Sequence, residues 1–489
     1  MPVTILTPQS IRNLGVYGII RQAEVDDHLI PDGAVTEAIN VHFDRKGAVT
    51  LRLGVAGLGA TVAAGYPIWS LYNTQTGSML VSISQGGSAR IYTYGGAAWT
   101  SNLTGGTANI KCRYTNYAGK VILTNFGYAG NQYDSIRFWN EITDNDWATT
   151  GNPINPQQLW PYRFPYIEVY KNRVYVAGDL SYPGRLFYSS VINSAGNINW
   201  DTSSTGYWVD INPSDGENIT ALKRFSLDLL VFKPNYIYRF RTSGIDPDPL
   251  IKIGTRSQDS VIEGKSGIYF HHESGFYRYS GDFLLEEISR PISDIVEAIT
   301  YTFSTSVAAW KDSDHIYWSI GNITINGIAW TNVVLRYTES SQLWTVYQYA
   351  NLITNGSTYN SSAAISKAVG TYNGLVGTVN SGYTDFGQPI AYRMITKWYE
   401  WDNIVNQKVL QNIFAYCEKA QDSKIFYQVD DEYKWEEFGA ITKFLNEFKN
   451  LNKVFSRIRF KLAGVSTKEP MVFLGLETPE GLNEGIINK

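Results

Sequence analysis

The chain is dominated by short runs of aromatic and apolar residues that alternate with polar ones and are separated by clusters of Gly, Asn, Asp and Ser. This alternation is typical of half-buried β-strands, and the clusters are typical of tight turns. From Pro67 to residue 400 the runs fall into groups of roughly 35 to 45 residues, the length of a propeller blade. The sequence therefore predicts an all-β chain with a β-propeller of about six or seven blades, and a generic β-sandwich is the alternative.

The recurring unit is an aromatic strand, a Gly-containing or Asn-containing turn and a second aromatic strand. It is seen in KNRVYV, PNYIYRF, KSGIYFHHESGFYRYSG and SDHIYWSI. A blade needs large side chains because its faces are buried between neighbouring blades. The last blade is expected to combine SSAAISKAVGTYNGLVGTV with a strand around Tyr392–Trp401.

Length predicts two or three domains, since single cores seldom grow beyond about 250 to 300 residues. The pattern along the chain divides it into three regions. Residues 1–64 are expected to form an N-terminal arm and a hairpin, AINVHFD and AVTLRLG around the turn RKG. Residues 65–400 would form the propeller, with an N-terminal strand joining its last blade. Residues 401–489 would form a small C-terminal β-sandwich-like domain and a tail. Arg290–Phe303 is the best short helix, a connector with its apolar face packed on the blades.

Charge and cysteine content exclude several classes of protein. The net charge of −4 gives no basic field of the kind that sequence-independent nucleic-acid binding requires. Cys112 and Cys417 are the only cysteines, so no disulfide framework or zinc knuckle can be read. The start lacks a signal-peptide pattern, and no run of eighteen apolar residues occurs, so no membrane span is expected.

Candidate metal and catalytic residues are few. His271 and His272 are adjacent, and neighbouring strand residues point to opposite faces, which disfavours chelation of one ion. Asp246 and Asp248 lie in a stiff DPDP loop that lacks the ligand-rich pattern of a calcium site. The carboxylates of Asp430–Glu437 could serve a glycosidase as acid and base, but a solvated charge cluster is the preferred interpretation.

A sialidase-like glycosidase is the enzymatic alternative on a propeller. Its Ser-x-Asp-x-Gly-x-x-Trp turns have their nearest counterparts in Ser194–Trp200 and Ser340–Trp344, and neither has the Asp in place. No spacing selects a triad among the candidate arginines Arg90, Arg113, Arg137, Arg163 and Arg173. We therefore expect no catalytic, cofactor-binding or metal-binding residues and no enzyme activity.

Binding of carbohydrate or of a receptor is a third possibility, because exposed aromatic rings at loop tips can stack on sugars. The candidates lie in Gly-rich and Ser-rich stretches and are Tyr182, Tyr207, Trp208 and Tyr383. Packing between blades or between subunits is the preferred interpretation of these side chains.

Two phrases resemble a known family. LIPDGAVTEAINVHFDRKGAVTLRLGVAGLG resembles the segment that opens the propeller of phage tail proteins, with matches at Pro31, Gly33, Asn40, Val41, Gly47, Arg52 and Gly54. GTRSQDSVIEGKSGIYFHHESGFYRYSG resembles a second phrase of these proteins, with matches at Ser260, Gly264, Gly275, Tyr277 and Gly281. The resemblance covers roughly residues 25 to 400, and the family is the tail nozzle, or tail tubular, class of short-tailed phages, also called DNA-stabilisation proteins.

The resemblance implies a structural virion protein, made in the host cytoplasm and built into the phage tail. Identical subunits, usually six, would form a ring below the portal and adaptor, extend the DNA exit channel and help to retain or release the genome. Further partners would be tail fibres or the tail tip and, transiently, genomic DNA. An acidic subunit fits a channel wall that does not hold DNA by phosphate contacts. The matched residues Gly33, Asn40, Arg52 and Gly54 are expected to be structural.

Overall fold

The structure of the protein is a computed structural model that describes residues 4–5, 9–21, 29–44, 47–127, 136–141, 147, 163–192, 198, 200, 208–241, 244–245, 249–300, 302, 306–360, 365–401, 407–419, 423–430, 432–449, 451–478 and 483–485. Strands make up 55% and helices 4% of it. The prediction of an all-β chain is therefore confirmed.

The N-terminal residues form short strands that join sheets built elsewhere in the chain. They are β1 (Thr4–Ile5), β2 (Ser10–Arg12), β3 (Val35–Ile39), β4 (Val41–Phe43), β5 (Val49–Leu51) and β6 (Val55–Gly57). β4 and β5 pair antiparallel, Val41 with Leu51, so the predicted hairpin is confirmed. Of its predicted turn residues, Gly47 has a φ of 81°, and Arg45 and Lys46 lie outside the described residues.

Seven small antiparallel sheets follow in the described part of the chain and are numbered I to VII in chain order. Sheet I contains β7 (Ile68–Asn73), β8 (Met79–Gln85), β9 (Ser88–Tyr94) and β10 (Trp99–Thr107). Sheet II contains β11 (Arg113–Tyr117), β12 (Lys120–Thr124) and β13 (Arg137–Trp139). Sheet III contains β14 (Tyr166–Tyr170), β15 (Arg173–Ala177), β16 (Arg185–Tyr188) and β17 (Trp208–Asp210). Sheet IV contains β18 (Ala221–Phe225), β19 (Asp228–Phe232), β20 (Ile237–Arg241) and β21 (Gly244–Ile245). Sheet V contains β22 (Ile262–Glu263), β23 (Ile268–His272), β24 (Gly275–Gly281) and β25 (Leu284–Glu287). Sheet VI contains β26 (Ala308–Lys311), β27 (His315–Ile325), β28 (Ile328–Thr338) and β29 (Leu343–Gln348). Sheet VII contains β30 (Ile353–Asn360), β31 (Ile365–Thr371) and β32 (Val376–Val379), with β6 as its fourth strand.

Each of these sheets shares a buried hydrophobic cluster with the next sheet in the chain. A further cluster joins sheet VII to sheet I, where Tyr359 and Val376 pack with Ile68 and Val81. The packing between sheets is therefore cyclic, and sheets I to VII are called the ring below.

Local sequence explains both the strands and the turns of the ring. In β8, residues Met79–Ile83 are all buried, because a sheet with a neighbour on each face buries both sides of its inner strands. Several hairpin turns carry two successive residues of positive φ, such as Lys171 and Asn172 at 44° and 56°. These values belong to type I′ turns, which Asn and Gly adopt readily. The predicted hairpin rhythm follows from these two preferences.

The remaining strands build two larger sheets and one small one. They are β33 (Ile390–Thr396), β34 (Gln407–Leu410), β35 (Ile413–Glu418), β36 (Ser423–Val429), β37 (Glu436–Ile441), β38 (Leu445–Phe448), β39 (Lys453–Phe455), β40 (Ile458–Ser466), β41 (Val472–Glu477) and β42 (Asn483–Gly485). Sheet VI continues through β3, β33, β40 and β36 to β37, giving nine strands. A six-stranded sheet runs β38, β35, β41, β5 and β4, with β2 paired to β41, and a four-stranded sheet runs β1, β42, β34 and β39.

A common core joins the nine-stranded and six-stranded sheets, with Met394 and Leu462 from one packing with Ala415 and Phe473 from the other. Strands β3, β33, β40, β36 and β37, together with the six-stranded sheet, are called the two-sheet module. The two alternating runs near the C-terminus, β40 and β41, lie in different sheets of this module.

The strand expected around Tyr392–Trp401 was assigned to the wrong sheet. It is β33, which pairs with β3 and β40 in the nine-stranded sheet. The place beside β32 is taken by β6, which confirms that an N-terminal strand joins the last sheet of the ring. β6 follows β5 of the hairpin after three residues, and it pairs antiparallel with β32 as the fourth strand of sheet VII.

The predicted helix within Arg290–Phe303 is present but shorter. A 3-10 turn at Arg290–Ile292 leads into α1 (Ser293–Glu297), and two further 3-10 turns lie at Pro213–Asp215 and Gln258–Ser260. Ile292, Ile295 and Val296 are buried in the common core, as their shared face predicts.

Candidate functional site: a closed ring centre and a buried arginine node

Three charged side chains from distant parts of the ring meet in its interior. Lys111 precedes β11 in sheet II, and its Nζ donates to Asp259 Oδ2 at 2.6 Å. Arg113 also donates to Asp259, and to the carbonyl of Pro165 at 3.2 Å. Sheets II and V are not neighbours in the ring, so the contact between Arg113 and Asp259 has to cross its interior. These three residues are the ring-centre cluster.

Sheet IV is hydrogen-bonded to the 3-10 turn Gln258–Ser260, which carries Asp259. Gln258 accepts a hydrogen bond from the Leu222 amide at 2.7 Å and donates one to the Leu222 carbonyl at 3.0 Å. The side chains of the ring-centre cluster are only 11 to 19% exposed. They occupy the interior of the ring and tie four of its sheets together.

The electrostatics of the cluster favour the charged form of Asp259. Burial alone would raise the pKa of Asp259, but the charges and hydrogen bonds of Arg113 and Lys111 lower it below its ordinary value. Two cations on one carboxylate leave an excess positive charge inside the ring. The arrangement is an ion-pair tie, since both cations donate to the one carboxylate.

The second polar centre is the arginine node, where Arg52 and Asp385 form a buried, bidentate ion pair. Arg52 donates from both terminal nitrogens, at 2.8 Å to Oδ1 and 2.5 Å to Oδ2 of Asp385. Its Nε donates to Asn40 Oδ1 at 2.7 Å, and its guanidinium lies over the ring of Tyr349 at 4.2 Å. The two ionic side chains are 1% and 3% exposed. Such geometry satisfies the donors that burial would otherwise leave without partners.

The arginine node connects the ring to the two-sheet module. Arg52 also donates to the carbonyl of Gln348, at the end of β29 in sheet VI. Asn40, between β3 and β4, donates to the carbonyl of Ala391 in β33. Asp385 lies in the segment after β32 of sheet VII. Arg52 and Asn40 together therefore connect the N-terminal segment, the ring and the module.

Backbone geometry explains the residue types around the node. Asn40 has a φ of 58°, which Asn adopts more easily than most residues. At Gly54 a Cβ atom would lie 2.1 Å from the carbonyl oxygen of Thr384, so no side chain fits. Asn40, Arg52 and Gly54 belong to the phrase that resembles tail nozzle proteins, and the structure brings them together. Gly33 lies elsewhere, where a Cβ would be 3.2 Å from the Asn13 carbonyl oxygen.

The histidine pair lies on β23, and its two rings are in different environments. His271 is 2% exposed and packs on Phe276, whereas His272 bonds Ser274. Burial, with a smaller contribution from the charge of His272, lowers the pKa of His271 to about 3. No group of three or more potential metal ligands occurs among the residues that the structure describes.

The other predicted chemical segments have structural partners or lie outside the described residues. Trp344 is buried and donates from Nε1 to the Ile288 carbonyl at 2.8 Å. Asp430 accepts the amides of Ser456 and Arg457, while Glu436 and Glu437 pair with lysines. Asp246, Asp248, Asp431 and most of Ser194–Trp200 lie outside the described residues.

The candidate arginines do not converge. Arg113 belongs to the ring-centre cluster, while Arg163 donates to Asn125 and Arg173 donates to the Ser189 carbonyl. Arg137 lies over the Phe126 ring. The sequence pattern missed Asp259 and Lys111, because residues 148 positions apart carry no local signal of their contact.

Two of the aromatic candidates do come together on the surface. Arg185 lies 3.6 Å from the ring centroid of Trp208 and 4.3 Å from that of Tyr182, and it pairs with Asp210. Trp208 and Tyr182 are 37% and 38% exposed. Tyr383 is exposed in the segment after β32, and Tyr207 lies outside the described residues. Sequence reasoning missed Arg185, which occupies one face of both rings.

Comparison with known proteins leaves the family open. No family model and no curated protein matches the chain. A solved structure titled "AfRom2 CNH domain" is similar over 65% of this chain and 98% of its own chain, with a TM-score of 0.41 and 7% sequence identity. At that score the likeness carries no argument. Among the described residues, no helix is long and apolar enough to span a membrane.

Proposed function

We propose that the ring is a seven-bladed β-propeller closed by β6. The supporting observation is the cyclic packing, in which each sheet shares a core with the next and sheet VII shares one with sheet I. Closure by a strand from the other end of the chain removes exposed sheet edges, a common device in propellers.

We propose further that the protein is a non-catalytic structural component of a phage tail, a subunit of the nozzle ring that extends the DNA exit channel below the portal and adaptor. The observation that carries this proposal is the arginine node. The residues that carry the resemblance, Asn40, Arg52 and Gly54, are those that fix the ring to the two-sheet module. A subunit whose two parts are held rigidly, and whose charged side chains pair within the subunit, is suited to assembly into a larger structure and not to catalysis.

The ring-centre cluster constrains where a channel would lie. Lys111, Arg113 and Asp259 fill the interior of the propeller at their level. A DNA channel would therefore run between identical subunits, six in the nozzle class, and not through one propeller. The subunits would meet the portal or adaptor on one side and tail fibres or the tail tip on the other.

The test is the mass and symmetry of the purified protein, measured by light scattering and negative-stain imaging. The protein would be examined alone and after mixing with portal and adaptor rings. A closed ring of copies around a central hole, formed alone or on those rings, is the expected result. A lone monomer under both conditions would overturn the nozzle proposal.

A glycan-binding propeller is the second candidate, favoured by the paired aromatic rings Tyr182 and Trp208. Each ring has one face on Arg185 and is more than a third exposed. Saturable binding of host polysaccharide that is lost in Trp208→Ala and retained in Tyr372→Ala, an exposed control on sheet VII, would favour this candidate. Equal binding by both variants would reject it.

A further inference from the structure

A cleft of about 590 Å³ lies between the N-terminal segment and one end of sheet VI. Phe43 and Asp44 line it on one side, and His315, Thr338 and Leu343 line it on the other. The last three form one row across β27, β28 and β29, because His315 pairs with Thr338 and Thr338 pairs with Leu343. Side chains paired in this way lie on the same face of a sheet. One face of sheet VI is therefore a wall of this cleft.

The next row on this face lies about 7 Å further in, two residues along each strand. It consists of Tyr317, Arg336 and Thr345, paired in that order. Arg336 and Thr345 are 6% and 1% exposed. His42 lies on β4, and burial, with the charges of Arg336 and His315, lowers its pKa to about 3. His42 therefore faces the same space as Arg336, and the space between His42, Arg336 and Thr345 is called the inner cleft.

Each of the three residues of the inner cleft has a polar atom that is buried without a hydrogen-bond partner among the described residues. These atoms are Nε of Arg336, Oγ1 of Thr345 and Nδ1 of His42. All three can donate a hydrogen bond, since either nitrogen of a histidine ring can carry the proton. Because buried polar groups are normally paired, three neighbouring donors indicate a ligand that accepts hydrogen bonds.

The charge of Arg336 points to an anionic ligand. Arg336 and Arg52 both lie over the ring of Tyr347, at 6.0 and 5.5 Å from its centroid. Arg52 is neutralised by its ion pair with Asp385. Arg336 has no ion pair with a carboxylate in the described part of the chain. A buried cation without a partner is costly, and an oxyanion in the inner cleft would stabilise it through charge-assisted hydrogen bonds.

The carboxylates around the cleft already accept hydrogen bonds from other donors of the protein. Asp312, whose charge acts on Arg336, bonds His315 Nδ1 at 2.7 Å and accepts the Tyr317 hydroxyl at 2.8 Å. The two carboxylates that line the cleft also have partners: Asp314 pairs with Lys265 at 2.8 Å, and Asp44 accepts the Ala48 amide at 2.8 Å. The three donors of the inner cleft are therefore left for a ligand.

We propose that the inner cleft binds a small oxyanion, a phosphate or carboxylate group, between Arg336, Thr345 and His42. Guanidinium N–H groups match the oxygens of both anions, and the hydroxyl of Thr345 supplies a further donor. The cleft lined by Thr338 and Leu343 gives the anion a route from solvent. The inference goes beyond the proposed nozzle function and does not depend on it, because a monomer is sufficient for binding.

The test is the thermal unfolding temperature of the full chain in potassium phosphate up to about 20 mM, with potassium chloride keeping the ionic strength constant. A second series replaces phosphate by acetate. A ligand that binds the folded protein and not the unfolded chain raises the unfolding temperature as its concentration exceeds the dissociation constant. A saturable rise with phosphate or with acetate is the expected result, and the larger rise identifies the group that the site prefers.

Two variants test the donors, and each has a control outside the cleft. Thr345→Val is expected to weaken binding about fivefold by removing one hydrogen bond. Its unfolding temperature without the anion is not expected to fall, because no described residue bonds the hydroxyl. Arg336→Gln is expected to weaken binding at least about tenfold by removing a charged donor. The controls Thr324→Val and Arg290→Gln, at exposed positions, are expected to respond like the parent protein.

Three results would overturn the proposal. The first is the lack of a saturable rise with either anion in the parent protein. The second is an equal rise in Thr345→Val and in Thr324→Val, which would indicate general stabilisation by salt. The third is a lower unfolding temperature of Thr345→Val without the anion, which would show that the hydroxyl is bonded within the protein. If Arg336→Gln does not fold, Thr345→Val decides alone, and failure of ring assembly leaves each result unaffected.

Discussion

The charge of Arg52 is buried, and its guanidinium donates five hydrogen bonds. The guanidinium bonds Asp385, Asn40 and two backbone carbonyls. Removal of one partner of a buried ion pair leaves the other charge uncompensated, which costs more than the pair itself contributes. Arg52 therefore stabilises the fold mainly by making the burial of Asp385 tolerable.

We predict that Arg52→Met lowers the free energy of unfolding by about 3 to 5 kcal/mol, while Arg52→Met combined with Asp385→Leu costs less than Arg52→Met alone. Urea denaturation followed by tryptophan fluorescence measures both. Arg12→Met is the control, because its ion pair with Glu477 is exposed and is expected to contribute less than about 1 kcal/mol. A double variant less stable than Arg52→Met would contradict this account of the node.

Two histidines, the buried His271 and the half-buried His42, are held in their neutral form. Burial, together with the charge of Arg336, lowers the pKa of His42 to about 3, and burial lowers that of His271 to about 3. The ordinary value of 6.5 applies to the unfolded chain, which therefore binds more protons than the folded protein as the pH falls from 6.5 towards 3. The stability present above pH 6.5 is lost across this window.

We predict that His271→Phe makes the pH dependence of stability shallower by one proton between pH 6 and 4, about 1.4 kcal/mol per pH unit. Among the residues that the structure describes, the Nε2 of His271 has no hydrogen-bond partner, so replacement of the ring by Phe beside Phe276 removes no hydrogen bond of that nitrogen. Urea midpoints across this pH range measure the slope. An unchanged slope would mean that His271 is protonated in the folded protein.

At the scale of elements, β6 supplies the fourth strand of sheet VII. Only three residues long, it pairs with β32 from Val55 opposite Val379 to Gly57 opposite Gly377. Its entry is fixed by Gly54, which packs against the backbone of Thr384. The pairing joins residues more than 300 positions apart, and such non-local pairings are slow to form.

We predict that Gly54→Ala destabilises the protein by more than about 2 kcal/mol, since its Cβ would overlap the Thr384 carbonyl oxygen. Gly57→Ala is the matched control three residues away, where the nearest atom to a Cβ is 3.8 Å distant. This control is expected to change stability by less than about 1 kcal/mol. Thermal unfolding of the two variants provides the comparison, and equal melting temperatures would contradict the assigned backbone approach.

At the scale of the whole molecule, the ring and the two-sheet module share a core. Strands β27 and β28 of sheet VI are longer than their neighbours β26 and β29. The hairpin end of these two strands buries Ile323, Ile325 and Trp330 in that core. Sheet VI then continues into the module through β3, paired in parallel with β29 at Val346 and Ile39. The packing predicts that neither part keeps its structure without the other.

We predict that a fragment of residues 1–400 aggregates and binds a hydrophobic dye, because it lacks β40 and exposes Met394 and the rest of the β33 core surface. Size-exclusion chromatography and dye fluorescence, with the 489-residue chain as control, measure this. A monodisperse 1–400 fragment with the near-ultraviolet circular dichroism of a folded protein would show that the ring is independent of the module.

Predictability from sequence differed between parts of the molecule. The hairpin β4–β5 and the apolar face of α1 were predicted correctly, because each depends on residues a few positions apart. β33 was assigned to the wrong sheet, since an alternating pattern defines a strand but not its partner. Asp259 was missed for the same reason, because its partners Lys111 and Arg113 lie in another sheet.

The sequence by itself determined the all-β class and the strand rhythm, because strand alternation and turn composition are properties of residues and their close neighbours in the chain. Tertiary structure alone decided which strands pair and how the ring-centre cluster and the arginine node assemble. Pairing and charge placement depend on contacts between residues hundreds of positions apart, and such contacts leave no mark on local composition.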